Sequence, residues 1–328
     1  MFSSVCLRPV WFVSWFLIAW SVTAADVPKD YPIRPVRMVN PYPPGGSSDP
    51  MCRTLAEALT RSLGQQFVVD NRGGGNGNIG TDVVAKANPD GYTLLFVAGS
   101  AFTINPFVYN SLPFDYKRHF APIGLFASVP NILVVNPSLP ARTLSDFIDY
   151  VRARPGQVNF ASAGNGSTMH LSAELFQKMT GTKMQHIPYV SPGQATLDTI
   201  ANRTQLIFHL VAAVAPHVRA GKLHGISVLA PSRSGVLPEI PTTQEAGLPG
   251  LESAAWYLIL APKGTSKTII AKLNKEINRS LQEVGLRKRI IDMGGNPLGG
   301  TPKDADDMVD AEAKKWSEIV KLAGVKLG

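Results

Sequence analysis

Two short segments combine the residue types that hold an anion through backbone amides. The first reads Pro41-Tyr42-Pro43-Pro44-Gly45-Gly46-Ser47-Ser48-Asp49, and the second reads Ala161-Ser162-Ala163-Gly164-Asn165-Gly166-Ser167-Thr168. In each, glycines let a bound group approach the main chain and hydroxyls add donors, directly ahead of a run with helical spacing. Free N–H groups and partial positive charge at a helix start favour anions. The same residue types also make an ordinary capped turn, so one such segment says little. Two of them, far apart in the chain, have the composition of a carboxylate clamp that grips through dipoles instead of a buried salt bridge. Gly99-Ser100-Ala101-Phe102-Thr103, which follows a strand pattern, supplies a third wall.

Other chemistry is poorly supported. Gly75-Asn76-Gly77-Asn78-Ile79-Gly80 satisfies the dinucleotide fingerprint after a strand pattern. That fingerprint expects an acidic residue about 20 positions on, where this chain has Val97-Ala98-Gly99-Ser100. No cofactor is therefore expected. The histidines at 119, 170, 186, 209, 217 and 224 lack the i, i+4 spacing of a metal-binding helix, and no metal is expected. Nucleophile-elbow, metalloprotease and phosphate-loop signatures are missing from the sequence, so no catalytic residue is assigned.

The elements that must position these segments alternate. Strand patterns fall at 36–39, 67–69, 92–97, 123–126, 132–135, 159–161, 206–208, 226–229 and 257–260. A helix is expected over 49–63, with Leu55, Leu59 and Leu63 on one stripe, a Ser/Asp cap, Pro50 in its first turn and Gly64 as its stop. Others start at Thr143, answered by Asp146, near Ser167 before Leu171 and Leu175, and at Thr301-Pro302-Lys303-Asp304. Alternation of this kind predicts α/β architecture with parallel sheets covered on both faces. The 328-residue length favours two such layers over one.

Hydrophobic residues make up 45% of the chain and charged residues 17%, enough apolar material for a core. Residues 1–25 differ in kind: Arg8 precedes an apolar run at 10–20, and Val22-Thr23-Ala24-Ala25 follows. This is the order of a secretory signal peptide cleaved after Ala24 or Ala25, since a membrane span needs roughly 20 apolar residues. Loss of Cys6 with that segment leaves Cys52 alone, a small filler for a helix. The formal net charge of +8 falls to +7 without Arg8. With no run of basic residues interleaved with aromatics, nucleic acid is not an expected partner, and a diffuse positive field would gather small anions.

The order Pro43-Pro44-Gly45-Gly46-x-x-Asp49, Asn71-Arg72, Gly77-Asn78-Ile79-Gly80, Pro89-Asp90-Gly91-Tyr92, 161–167 and His186-Ile187-Pro188-Tyr189 closely resembles the substrate-binding receptors of tripartite tricarboxylate transporters, the Bug family. Further matches follow at Ala220-Gly221-Lys222-Leu223, Pro241-Thr242, Glu245-Ala246-Gly247 and Ala261-Pro262. The resemblance implies a two-lobed periplasmic-binding-protein fold whose chain crosses between lobes twice, with 26–128 plus 252–328 in one lobe and 129–251 in the other. It implies a periplasmic, non-enzymatic receptor that takes a small carboxylate and hands it to integral membrane subunits, a role that suits a monomer. Carried over by position, the ligand-binding residues are Gly45, Gly46, Ser47, Ser48, Ser162, Asn165, Ser167 and Thr168, with Tyr189 shaping the pocket; the reading of the loops adds Asp49 and Ser100 as ligand-binding residues.

The chain departs from that pattern where relatives commonly read Phe-Asp. Here the residues are Phe208-His209. If His209 faces the cleft, an acid that could hold a ligand amino group has been replaced by an imidazole; a packing histidine is the alternative. Two other functions stay open on these residues: a periplasmic sensor that presents a closed lobe to a signalling partner, and an enzyme using His209 or His170 as a base.

Overall fold

The computed structural model describes residues 31–44 and 47–327; the expected signal segment at 1–25, Gly45 and Gly46 lie outside the described residues. The chain runs β1 (Val36–Asn40), α1 (Ser48–Leu63), β2 (Phe67–Asn71), α2 (Asn78–Ala85), β3 (Thr93–Ala98), α3 (Ser100–Thr103), α4 (Asn105–Val108) and α5 (Tyr116–His119). It continues through β4 (Phe120–Val135), α6 (Leu144–Arg152), β5 (Asn159–Ser162), α7 (Thr168–Thr180), β6 (Gln185–Pro188), α8 (Pro192–Ile200), β7 (Leu206–Leu210), α9 (Val211–Arg219) and β8 (His224–Val228). Last come β9 (Ala254–Pro262), α10 (Lys267–Ser280), α11 (Val284–Asp292), β10 (Asn296–Pro297) and α12 (Pro302–Ala323).

The architecture is a two-lobed α/β fold. β1 lies parallel between β2 and β3 in one half, and β5 lies parallel between β6 and β7 in the other. The halves are joined by strands that run antiparallel to their neighbours. β4 pairs with β9 from Phe120 to Pro130, then with β7 and β8 from Asn131 to Val135. The two strands expected at 123–126 and 132–135 are thus one strand of 16 residues. Pro130-Asn131 has the composition of a turn, yet Pro130 is in register with Ala254, and the Asn131 N–H donates to the Ser253 carbonyl at 2.8 Å. Its side chain donates to the hydroxyls of Ser253 and Ser172, so a buried polar knot closes the crossing point.

The helix signals are realised locally. Gly64, Gly181 and Gly324 end α1, α7 and α12 in left-handed conformation, and both Thr143–Asp146 and Thr301–Asp304 form reciprocal capping boxes. The hydroxyl cap expected for α1 does not form: Ser47 makes no side-chain cap bond, and Ser48 donates instead to Asn40 Oδ1. The expected boundary at 252 places all of α12 with the first lobe, but its packing is shared. Ala305 and Val309 join Leu95, Val97 and Leu258, whereas Trp316, Ile319 and Val320 join Leu133, Phe160, Phe176 and Phe208.

Candidate ligand-binding cleft

Both glycine-serine segments are strand-to-helix turns at the carboxyl ends of strands, β1 to α1 and β5 to α7, where open α/β sheets bind ligands. They meet across the space between the lobes. One cavity of about 300 Å³ is lined by Pro41, Tyr42 and Pro43 from the first turn and by Asn165, Gly166, Ser167 and Thr168 from the second, with Ser100 between them. A second, of about 760 Å³, lies where Ser47 and Pro50 approach Thr168 and Met169, and it extends along α8 and the start of α9. Thr168 borders both cavities.

The second turn is braced from behind. Ser162 is fully buried; its hydroxyl accepts from the Gly164 N–H at 3.0 Å and lies 2.6 Å from His186 Nε2. His186 stacks on His170 with ring centroids 3.9 Å apart, and His170 Nδ1 accepts from the Gly166 N–H. Burial, aided by His170, brings His186 down to about 4 from its ordinary 6.5, so the His186 ring is neutral near pH 7. Ser167 caps α7 by accepting from the His170 N–H, while its own hydroxyl donates to the Gly164 carbonyl at 2.7 Å. What remains for a guest are backbone groups: the N–H groups of Thr168 and Met169, in the first turn of α7, have no partner among the described residues. The Asn165 side chain is exposed and likewise without a hydrogen bond among the described residues.

The first turn is braced differently. Asn71 Nδ2 donates both to the Tyr42 carbonyl and to Asp49, and Asp49 also pairs with Arg53. Ser47 sits 3.0 Å from the hydroxyl of Tyr257, whose phenol burial pushes up to about 12. The Tyr42 ring is close-packed: a Cβ at Gly77 would fall 3.2 Å from it.

Of the residues expected to contact a ligand, Ser47, Ser100, Asn165, Ser167, Thr168 and His209 line the cleft. Ser48, Asp49 and Ser162 do not. They are buried, with their polar atoms engaged by Asn40, by Asn71 and Arg53, and by Gly164 and His186. Tyr189 also stands behind the loop, its hydroxyl donating to Asp198 and its backbone N–H bonded to Ser162. Unanticipated liners are Gly74, Asn76 and Gly77, the segment set aside as an imperfect dinucleotide fingerprint, and Asn105, which donates to Asn76 O and Asn78 Oδ1. Their signal was the glycine run itself. Gly80 packs against Pro41, where a Cβ would come within 2.8 Å of its Cα, and this holds the segment beside the first turn.

Comparison with known proteins gives a consistent answer. Residues 51–325 match the model of the tripartite tricarboxylate transporter family receptor. The chain is 39% identical over 312 residues to BugT of Bordetella pertussis, covering 94% of this chain and 96% of that protein. The structure of R. palustris Rpa4515 with adipate superposes with a TM-score of 0.80 at 36% identity, over 90% of this chain and 99% of that one. The periplasmic binding protein BugD gives 0.74 at 32% identity over 90% and 99%. MatC from Rhodopseudomonas palustris with bound malate gives 0.74 at 29% over 88% and 100%. The chain belongs to the tripartite tricarboxylate transporter receptor, or Bug, family.

Proposed function

We propose that this protein captures a small carboxylate in the cleft between its lobes and delivers it to the integral membrane subunits of a tripartite transporter. The observation that carries this reading is the meeting of two glycine-serine turns, one from each half, around shared cavities beside first-turn amides of α7 that have no partner among the described residues. Such amides hold a carboxylate without a cationic side chain. Among relatives of the same fold, Rpa4515 was solved with adipate and MatC with malate, both carboxylates.

In this reading residues 26–128 plus 252–328 form one moving body and 129–251 the other, and closure about β4 and β9 buries the ligand for presentation. The protein acts as a receptor in the periplasm, reached through the signal segment at 1–25, and no bond is made or broken. A ligand bound only by the folded state raises its melting temperature. Thermal-shift titration of protein refolded free of co-purified ligand, against mono-, di- and tricarboxylates and aromatic acids, is expected to show stabilisation by acids. Stabilisation by neutral sugars or metal ions, with none by any acid, would overturn it.

A further inference from the structure

The larger cavity differs from the smaller in having a hydrocarbon wall. Pro50, Met169, Leu197, Leu210 and Ala212 line it, and no Asp, Glu, Lys or Arg stands among its lining residues. At its back is His209, the fourth residue of β7, 8% exposed and paired in register with Ile132. The Leu210 N–H donates to His209 Nδ1 at 2.7 Å. A ring nitrogen that accepts carries no proton, so the neutral ring bears its hydrogen on Nε2. With Nδ1 turned to the backbone, the opposite edge of the ring is left for the cavity it lines, and Nε2 has no hydrogen-bond partner among the described residues. An N–H open to the cavity is a donor that an acceptor on a guest can meet.

We propose that this cavity selects acids with a hydrocarbon or aromatic body whose far end accepts a hydrogen bond from His209 Nε2–H, and excludes acids carrying an ammonium at that end. The inference rests on the carboxylate reading above: the turns hold the acid head, and the His209 cavity reads the tail. An ammonium beside His209 would lose water and face the Nε2–H donor, and although the hydroxyls of Ser47, Thr168 and Thr196 and the His217 ring also line the cavity, no carboxylate does, so its charge goes unbalanced.

The test uses matched acids at neutral pH, measured by calorimetry on the ligand-free protein. Each set holds the head and body constant and changes the tail: terephthalate, benzoate and 4-(aminomethyl)benzoate, and the linear diacids from succinate to suberate with their monoacid and ω-amino counterparts. In the set that fits best, the amino member is expected to bind at least about tenfold more weakly than the diacid, which outranks the monoacid. His209→Asp is expected to invert that order. Should the Asp variant fail to fold, His209→Gln, which keeps a donor, is expected to preserve the diacid preference, and His209→Leu to abolish it. Equal affinity for amino and diacid members, or a tail preference unmoved in His209→Leu, overturns the inference while leaving the clamp intact. Binding of no acid at all overturns both.

Discussion

The two turns that face each other across the cleft look alike as sequence and are held by opposite means. The β1–α1 turn is tied down by an ionic chain, from half-exposed Arg53 through buried Asp49 to Asn71 and the Tyr42 carbonyl. The β5–α7 turn rests on a buried aromatic stack, Ser162, His186, His170 and Phe160. The serines and the aspartate in such turns have two possible employments, contacting a guest or holding the backbone that does. Here burial decides: Ser48 and Asp49 bond neighbouring side chains, Ser162 holds the Gly164 backbone, and Ser47, Asn165, Ser167 and Thr168 line the cavities.

The contrast yields an ordered set of expectations. Removing the Ser162 hydroxyl strands the Gly164 N–H and leaves His186 Nε2 facing a void, so Ser162→Ala is expected to lower stability by about 1–3 kcal/mol in urea unfolding. It should weaken acid binding as well, although Ser162 lines neither cavity; unchanged affinity would show that the stack does not set the turn. Acid comes next. His186 and His209 are both brought to about 4, below the ordinary 6.5, by burial. The unfolded chain therefore takes up protons at these sites first as pH falls. Stability they contribute is fully present above about 6.5 and is lost progressively toward about 4. The melting temperature should drop across that window, and less so in His186→Asn; identical pH profiles for the two proteins would remove the stack from the account. The smallest effect is expected at the ionic chain. Asp49→Asn keeps an acceptor for Asn71 and removes the charge facing half-exposed Arg53, a pair worth about 0–1 kcal/mol and screened further by added salt. A loss as large as that of Ser162→Ala would mean the two braces are equivalent after all.

Much of this was legible in the residues because it is local. Strand and helix alternation, the glycine stops at 64 and 181, and the capping boxes at Thr143 and Thr301 depend on a few neighbours, and they form as their spacing predicts. The position of both turns at strand ends follows from the same alternation. What local pattern misread was long-range pairing. Pro130-Asn131 is turn-like in isolation, yet β9, more than a hundred residues later, supplies the partners that keep it extended. The α12 stripe is likewise plain as a period, while the sharing of its two ends between lobes is not.

The sequence by itself determined that this chain builds α/β layers with two amide-rich turns at strand ends, since backbone preference and hydrophobic period are properties of neighbouring residues. Only the tertiary structure decided which polar atoms of those turns face the cleft, that 74–77 joins them, and that His209 lines the cavity with Nδ1 turned to the backbone. A side chain's partner is set by what the rest of the fold brings within 3 Å or so, and residues as distant as Ser47 and Tyr257 meet only once both crossings are made.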